Sequence, residues 1–339
     1  MTSVQEKIIR QIHELLSVKR KVVIIPHHNP DGDALGSALA LYHYLIKKGH
    51  IARVISPNIY PEFLFWMCGN DQVIIFNKSV TEASTIISEA DIIIFTDFNC
   101  ISRINHMQQA LSGSKATKVL IDHHPEPELF ADLILSDPSV SSTTELVYRF
   151  ISANGDKNLI DKTIAECLFS GIITDTGTFS YNSSEPETFN VVSELLRIGV
   201  EKDRIHNNIY NTYSSQRMRL LGYCLNEKMV FVPEYNTAYI TITQDELKRY
   251  NYLPGDTEGF VNYPLSVKET VFSVLFIEKK DHIKISFRSK KNFPVNKFAA
   301  THFNGGGHIN AAGGEYYSSM EETISLFIKL LEQYKDQLI

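Results

Sequence analysis

The residues with the clearest chemical potential are an aspartate and two histidines, Asp122-His123-His124, which directly follow a short apolar run. Carboxylates and imidazoles at the end of a buried strand can bind metal ions or transfer protons. A His pair that is buried with all its hydrogen bonds satisfied is the structural alternative. The choice depends on which other side chains the fold brings to the same place.

Other acidic and imidazole side chains follow further predicted strands or a helix. They are His27, Asp31 and Asp33 after the first strand, Asp97 after the strand that begins at Ile92, and Asp175 after a predicted helix. The carboxyl ends of parallel strands form the ligand-binding crevice of an open α/β sheet, so we expect these side chains to converge. Five carboxylates in a small volume repel one another, and bound divalent cations are the simplest remedy.

The mixture of oxygen and nitrogen ligands indicates which ions such a site would hold. It favours Mn²⁺, with Mg²⁺, Co²⁺ and Zn²⁺ as alternatives. Two such ions about 3.5–4 Å apart polarise a phosphoryl group and lower the pKa of water. The pattern therefore predicts two-metal hydrolysis of a phosphate ester.

Taken singly, each segment also has a structural interpretation. Asp31-Gly32-Asp33 could form a turn and a helix cap, and Asp97 and Asp175 could belong to a loop and a turn. An EF-hand is excluded, because its sixth and twelfth positions would be Ala34 and Ala40 instead of Gly and Glu. The functional interpretation depends on the set of residues rather than on any one of them.

Candidate phosphate-binding residues lie mostly in the second half of the chain. The run Gly305-Gly306-Gly307-His308 lacks the Lys-Ser/Thr pair of a P-loop, but consecutive glycines let backbone N–H groups approach a phosphate, and His308 could add a donor. A flexible hairpin is the alternative. Arg288, in a predicted strand, and Arg103, shortly after Asp97, could each hold a phosphate through two hydrogen bonds, or could be solvated surface residues.

The elements that must position these residues alternate in the first half of the chain. Val- and Ile-rich runs at 22–26, 52–56, 73–76, 92–97 and 118–122 are separated by helical patterns, which predicts a mostly parallel sheet covered by helices. A helix is predicted at 34–48, with Asp33 as its N-cap and Gly49 as its C′ residue. Further helices are predicted at 142–153, where Ser141, Ser142 and Thr144 could cap the helix or, as the alternative, contact a substrate, and at 161–174.

The character of the sequence changes in the second half. Residues 188–226 are predicted to form a helical connection, followed by paired strands at 229–233 and 238–243, a second pair at 271–278 and 282–289, and a closing helix near 320–334. We therefore predict an α/β protein with a catalytic, metal-binding domain at 1–187 and a smaller α/β substrate-binding domain at 227–339. The active site is expected in a cleft between them.

Length, charge and cysteine content limit the functional classes. The 339 residues suggest about two domains. The net charge of −6 argues against a protein that grips long duplex nucleic acid, although a short anionic substrate remains compatible. The four cysteines form no C-x-x-C pair, and the chain shows neither a leader pattern nor an apolar run of membrane-spanning length. These features predict a cytoplasmic protein without a membrane partner.

Taken together, the motifs resemble those of the DHH family of phosphoesterases with its associated C-terminal domain. The matching features, which extend over nearly the whole chain, are His27-x-x-Pro-Asp31-x-Asp33, Asp97, Asp122-His123-His124, Asp175 and the terminal Gly-Gly-Gly-His308. Within that family, the chain length and the form Gly-Gly-Gly-His-x-x-Ala-Ala-Gly are most similar to the nanoRNases. These are bifunctional enzymes that degrade very short oligoribonucleotides and dephosphorylate 3′-phosphoadenosine 5′-phosphate, and they are often described as exopolyphosphatase-related.

The resemblance implies a role for each residue. The implied metal ligands are His27, Asp31, Asp33, Asp97, His123 and Asp175, with Asp97 and Asp175 bridging or shared. His124 would contact the scissile phosphate or protonate the leaving oxygen, and Asp122 would orient its neighbours. Arg288 and the 305–308 segment would hold the far end of the substrate, whereas His28 is extra to the motif and has no implied ligand role.

The expected activity is hydrolysis of short oligoribonucleotides to mononucleotides and of 3′-phosphoadenosine 5′-phosphate to AMP. Pyrophosphate or polyphosphate is an alternative substrate, which the basic run Arg288-Ser-Lys-Lys keeps open. Cleavage of a cyclic dinucleotide or its linear product is another. A non-catalytic nucleotide-binding regulator is disfavoured by the intact ligand set. The oligomeric state stays open, with a homodimer as one option.

Overall fold

The computed structural model describes residues 2–290 and 292–339. It divides the chain into two compact units, of which the first ends at Thr212 and the second is Tyr213–Ile339. The boundary lies within the stretch 188–226 that the sequence predicts as a helical connection. Lys291, the last residue of the basic run that begins at Arg288, lies outside the described residues. Within the described ranges, no helix is both long enough and apolar enough to cross a bilayer.

The first unit contains a parallel sheet flanked by helices, as the sequence predicts. Its strands are β1 (Lys21–Pro26), β2 (Ile51–Ser56), β3 (Ile74–Ile75), β4 (Ile92–Thr96), β5 (Thr117–Asp122) and β6 (Leu133–Ser136). Its helices are α1 (Ser3–Leu15), α2 (Gly32–Lys47), α3 (Val80–Ser88), α4 (Gln108–Leu111), α5 (Thr143–Ala153), α6 (Lys162–Asp175), α7 (Pro186–Ile198) and α8 (Lys202–Tyr210). The strands pair in parallel in the order β3-β2-β1-β4-β5-β6.

Both faces of this sheet are buried, which explains why its strands are almost continuously apolar. In β1, Val22 and Ile24 point into a core shared with α1, α2, α5 and α6, whereas Val23 and Ile25 point into a second core shared with α3 and α4. This alternation follows from the two-residue period of a strand.

The strand order reverses next to β1, and this reversal determines where a ligand can bind. The chain runs outward from β1 to β2 and β3, then returns to place β4 on the other side of β1. In open α/β sheets the binding crevice lies beyond the carboxyl ends of the strands at such a point. His27 follows β1 and Asp97 follows β4, so both lie at this reversal.

The start of α2 differs from the prediction. The N-cap is Asp31, whose Oδ1 accepts hydrogen bonds of 3.0 Å from the backbone N–H groups of both Asp33 and Ala34. The assignment of Asp33 as N-cap was therefore wrong, because the aspartate two residues earlier already satisfies these amides. The carboxylate of Asp33, inside the first turn, is directed to other partners. Gly49 has a φ of +85°, as a C′ glycine should.

Three glycines allow α2 and α6 to approach closely. A Cβ atom on Gly36 would lie 2.6 Å from the carbonyl oxygen of Cys167 in α6, and one on Gly32 would lie 2.4 Å from Oγ1 of Thr174. Gly171 of α6 faces α2 in the same way, with Asp33 Oδ1 2.6 Å from its ideal Cβ position. Helix contact at this distance places the first turn of α2 against α6, whose last residue is Asp175.

The second unit is a smaller α/β unit, which confirms the predicted class. Its strands are β7 (Met229–Val232), β8 (Thr237–Ile242), β9 (Phe272–Glu278), β10 (Ile283–Ser289), β11 (Gly306–His308) and β12 (Ala311–Tyr316). Its helices are α9 (Ser215–Tyr223), α10 (Gln244–Arg249), α11 (Val295–His302), α12 (Met320–Gln333) and α13 (Lys335–Leu338), and a π-helical segment covers Cys224–Lys228. The sheet order is β11-β12-β10-β9-β8-β7, with antiparallel pairs except for β8 and β9.

The glycine-rich stretch is more regular than the sequence suggests. Gly306–His308 and Ala311–Tyr316 form a β-hairpin on the edge of the sheet, not a flexible loop. A Cβ on Gly305 would lie 2.0 Å from the carbonyl oxygen of Gly313, so the close approach of the two chain segments requires glycine. The glycines hide the strand signal, because they lack the β-branched and aromatic side chains by which strands are recognised.

The contact between α2 and α6 gives a test of the fold. Gly36→Ala should lower the free energy of unfolding of the first unit by about 1–3 kcal/mol, because the new methyl group meets the backbone of α6. Gly113→Ala is the control, since Gly113 lies in the same unit and has open space around its Cβ position. The control should be neutral or gain up to about 1 kcal/mol from the smaller conformational entropy of the unfolded chain. Urea unfolding followed by circular dichroism measures the free energy of unfolding of both variants. Equal values for the two variants would contradict the close contact between α2 and α6.

Candidate active site

The first group of side chains at the carboxyl edge of the sheet contains His27, Asp31 and Asp97. Nε2 of His27 lies 3.9 Å from Oδ2 of Asp31 and 3.5 Å from Oδ2 of Asp97. On the other side of the ring, Nδ1 lies 2.8 Å from the carbonyl oxygen of His28. Because a carbonyl only accepts hydrogen bonds, Nδ1 carries the proton and the lone pair of Nε2 faces the two carboxylates.

Electrostatics at this group suit metal binding. Burial lowers the pKa of His27 to about 4, with a contribution from the charge of Arg103, so the ring is neutral at pH 7. Burial alone would raise the pKa of Asp31, but His27, the backbone amides of Ala34 and Asp33, and Arg103 together lower it. A neutral imidazole beside an ionised carboxylate is the protonation state that a metal ion requires.

The second group contains Asp33, His123 and Asp175. Nε2 of His123 lies 3.4 Å from Oδ2 of Asp175 and 3.9 Å from Oδ2 of Asp33, while its Nδ1 is 3.4 Å from the carbonyl oxygen of Val140. The pKa of His123 would be lowered by burial, but the nearby Asp175, Asp33 and Asp122 raise it. The ring is therefore surrounded by negative charge on the side where Nε2 points.

Asp97 is shared by the two groups. Its Oδ2 faces His27, whereas its Oδ1 lies 3.7 Å from Nε2 of His123. The side chain is buried, and burial together with the charges of Asp33, Asp31, Asp175 and Asp122 raises its pKa well above the ordinary value. The backbone has a φ of +67°, which non-glycine residues rarely adopt and which often marks a functional position. A carboxylate with one oxygen toward each group can bridge two cations.

The spacing and chemistry of these atoms fit divalent metal ions. In each group the candidate ligand atoms lie within 4.8 Å of one another. The N–O separations of 3.4–3.9 Å are longer than good hydrogen bonds and are close to the roughly 3–3.6 Å between neighbouring ligands of an ion with bonds of about 2.1 Å. The predicted side chains therefore converge on a place that a cation of this size could occupy.

Asp122 and His124 form a separate pair beside Asp97. Nδ1 of His124 donates to Oδ1 of the fully buried Asp122 at 2.7 Å. Burial would raise the pKa of Asp122, but His124 and His123 hold it below the ordinary value. A buried, ionised carboxylate on Nδ1 fixes the ring orientation and directs Nε2 away from Asp122.

Asp175 occupies an unfavourable position for a purely structural acid. It is the last residue of α6, where the negative end of the helix dipole disfavours a carboxylate. The chain then turns sharply through Gly177, Thr178 and Phe179, all with φ between +53° and +64°. Both the acid at a helix C-terminus and the strained turn after it are costs that a binding role for Asp175 would explain.

The remaining predicted residues are placed in both units. Arg103 lies in the 3₁₀ segment Ile101–Met107, and its carbonyl oxygen accepts a 2.7 Å hydrogen bond from the backbone N–H of His28. In the second unit, Arg288 of β10 pairs with Ala311 of β12, which pairs in turn with His308 of β11. Residues directly opposite in antiparallel strands share a face, so Arg288 and His308 flank the small side chain of Ala311.

Sequence reasoning missed residues that hold the carboxylates in place. Thr143 donates through its backbone N–H to Asp33 and through its hydroxyl to Asp97, and Thr144, which was expected to cap a helix, contacts Asp33 instead. The predicted N-terminus of α5 was a usable signal, because helix N-termini bind anions. The sequence did not show which anion would be in reach.

Comparison with known proteins places the chain in a family. It matches the DHH family, N-terminal domain, over residues 21–172 and the DHHA1 domain over residues 236–336. The bifunctional oligoribonuclease and PAP phosphatase NrnA of Bacillus subtilis (strain 168) is 28% identical over 305 residues, which cover 89% of this chain and 91% of that protein. The probable bifunctional oligoribonuclease and PAP phosphatase NrnA of Streptococcus mutans is 28% identical over 302 residues, which cover 88% and 91%.

A solved structure supports the same assignment. The crystal structure of an exopolyphosphatase-related protein from Bacteroides fragilis is 44% identical in sequence and covers 100% of this chain and 99% of its own, with a TM-score of 0.94. The chain therefore belongs to the DHH family of phosphoesterases, with a DHHA1 domain in its second half, and it is a hydrolase that acts on phosphoester bonds.

Proposed function

We propose that this protein hydrolyses short oligoribonucleotides to mononucleotides and 3′-phosphoadenosine 5′-phosphate to AMP. The observation that carries the proposal is the pair of His/Asp groups that share Asp97. The names of the NrnA relatives, which match this chain over about nine-tenths of its length, supply the substrate class. The protein is further proposed to act in the cytoplasm, on short strands or small nucleotides and not on long duplexes.

The metal ions are assigned to the two groups. His27, Asp31 and Asp97 would hold one divalent cation, and Asp33, His123 and Asp175 would hold the second together with Asp97. Manganese is the first choice for this ligand set, with magnesium, cobalt and zinc as alternatives. When bound, such ions polarise a phosphoryl oxygen and lower the pKa of water.

His124 is assigned to the substrate phosphate. Its Nδ1 is occupied by Asp122, so Nε2 is the atom that would contact the scissile phosphate or protonate the leaving oxygen. The carboxylate of Asp122 orients the ring through this hydrogen bond. Asp122 thus acts through His124, and substrate contact belongs to the imidazole.

Substrate binding is assigned to the second unit, and catalysis to the first. Arg288 and His308 lie on one face of the sheet on either side of Ala311, which has a small side chain, and both would bind phosphate groups of the substrate. The segment Gly305-Gly306-Gly307 would complete this surface, and Arg103 would add a positive charge at the metal site. A local patch of this kind is sufficient for a short anionic substrate in a chain with a net charge of −6.

Polyphosphate is the second candidate substrate. The Bacteroides fragilis protein, 44% identical to this chain, is described as exopolyphosphatase-related. A site with two cations and an arginine would also suit a chain of phosphates.

A substrate panel separates these candidates. Purified protein with Mn²⁺ should release AMP from 3′-phosphoadenosine 5′-phosphate and mononucleotides from a dinucleotide, as measured by chromatography of the products. A cyclic dinucleotide, pyrophosphate and polyphosphate are the comparison substrates. Turnover of pyrophosphate or polyphosphate alone would reject the nucleotide assignment, and absence of any turnover would favour a regulatory nucleotide-binding role.

The role of the second unit can be tested at Arg288. Arg288→Ala should raise KM about 10-fold or more with little change in kcat, because a group that grips the substrate away from the reacting bond contributes mainly to binding. Lys284→Ala is the matched control, since Lys284 is a basic residue on the same strand and the same face and should leave KM unchanged. A collapsed kcat with an unchanged KM would place Arg288 at the reacting phosphorus instead.

The shared position of Asp97 can be tested with Asp97→Asn, because asparagine tolerates the positive φ. With Mn²⁺ present, activity should fall by more than the 10–100-fold typical of groups that only support a ligand. In chelator at neutral pH the variant should melt at a higher temperature than the wild type, since it removes a buried negative charge.

The pH dependence of this stability difference has a definite sign. The folded-state pKa of Asp97 is raised, so its ionised form destabilises the folded protein at high pH. The advantage of the variant in chelator should therefore shrink as the pH falls through that raised pKa toward 3.8. Asp71→Asn, at an exposed position, is the control. If the Asp97→Asn variant with Mn²⁺ were as active as the wild type, the two-metal assignment would be contradicted.

A further inference from the structure

The backbone donors at the start of α5 have an unusual acceptor. Ser142 is the N-cap, and its Oγ accepts a 3.1 Å hydrogen bond from the backbone N–H of Glu145. The two donors that precede Glu145 in the first turn, the N–H groups of Thr143 and Thr144, donate to Oδ2 and Oδ1 of Asp33 at 2.6 and 2.9 Å. Asp33 lies on α2, so this helix terminus is capped by a carboxylate from a distant part of the chain.

The threonine hydroxyl groups of the same turn also donate hydrogen bonds to carboxylates. Oγ1 of Thr144 donates to Oδ1 of Asp33 at 2.7 Å and therefore accepts the 2.8 Å hydrogen bond from Oγ of Ser142. Oγ1 of Thr143 donates to Oδ1 of Asp97 at 3.0 Å. A single helix turn thus contacts one carboxylate from each of the two groups, and consecutive hydrogen bonds strengthen one another.

The number of hydrogen bonds determines which oxygen of Asp33 can still bind an ion. A carboxylate oxygen offers about two acceptor positions. Oδ1 accepts two hydrogen bonds from Thr144, whereas Oδ2 accepts one from Thr143 and faces Nε2 of His123 at 3.9 Å. Only Oδ2 retains a position for a cation.

Gly171 of α6 packs directly against the contact between Thr144 and Asp33. An ideal Cβ on Gly171 of α6 would lie 2.3 Å from Cγ2 of Thr144, 2.5 Å from its Oγ1 and 2.6 Å from Oδ1 of Asp33. Any larger residue would force Thr144 away from Asp33. The close packing of α2, α5 and α6 therefore also fixes the orientation of the Asp33 carboxylate.

We propose that the N-terminus of α5 is a carboxylate clamp in which Thr143 and Thr144 are positioning residues. Thr144 occupies Oδ1 of Asp33, so that Oδ2 is the oxygen that would hold a metal ion, and Thr143 fixes the position of Asp97 relative to Asp33. The inference rests on the proposed metal site, and neither threonine touches the ion or the substrate.

The test compares hydroxyl removal with hydroxyl retention in the full-length protein. Thr144→Val should weaken Mn²⁺ binding by about 10–100-fold, the range typical of groups that support a ligand, and Thr144→Ser should restore it. Thr143→Val and Thr143→Ser should behave in the same way. Thr85→Val, in an exposed helical position, is the matched control and should bind Mn²⁺ like the wild type. Calorimetric titration with Mn²⁺ alone measures the affinity without any substrate.

The outcomes separate this inference from the proposed function. If Thr144→Val and Thr143→Val both bind Mn²⁺ with wild-type affinity, the clamp is overturned whatever their melting temperatures. If one of them does not fold, the other variant decides. If the wild-type protein binds Mn²⁺ but cleaves no member of the substrate panel, the proposed function is refuted. The clamp is then still decided by Mn²⁺ binding to the threonine variants. Wild-type protein that binds no divalent ion would overturn both.

Discussion

The concentration of negative charge at one edge of a buried sheet is the constraint on which the rest of the structure depends. Asp31, Asp33, Asp97, Asp122 and Asp175 lie around three imidazoles, those of His27, His123 and His124, at the carboxyl edge of the sheet. Isolated charges of one sign are costly to bury, so the surrounding elements must supply donors or the protein must bind cations. The hydrogen bonds that these carboxylates accept can be understood as responses to this cost.

The protein compensates the carboxylates unequally. Asp31 accepts hydrogen bonds from the first turn of its own helix, Asp33 from the first turn of α5, and Asp122 from His124. Asp97 accepts from the hydroxyl of Thr143, but burial and its four acidic neighbours dominate its environment and raise its pKa. Among these four carboxylates, the one between the two groups is compensated least, and cations there would relieve repulsion.

The second unit is built around a six-stranded sheet whose edge carries the glycine-rich hairpin. Its sheet is covered on both faces by aromatic and aliphatic cores, which include Phe272 and Phe287 on one face and Leu275 and Ile277 on the other. A rigid sheet of this kind holds Arg288, Ala311 and His308 in fixed register. The glycines next to His308 let two chain segments approach closely at the sheet edge.

The sequence by itself determined the parallel sheet and predicted which acidic and imidazole side chains come together, because parallel strands place their carboxyl ends at a common edge and most of these residues lie at or shortly after the ends of β1, β4 and β5. It did not determine that Asp31, and not Asp33, caps α2, since either aspartate suits a helix start locally. It also missed β6, β11 and β12, which are short or rich in glycine. Only the tertiary structure decided that each oxygen of Asp97 faces a different group and that Thr143 and Thr144 hold Asp33. These contacts join residues far apart in the chain, and no local pattern of side chains records which distant donor a buried carboxylate will meet.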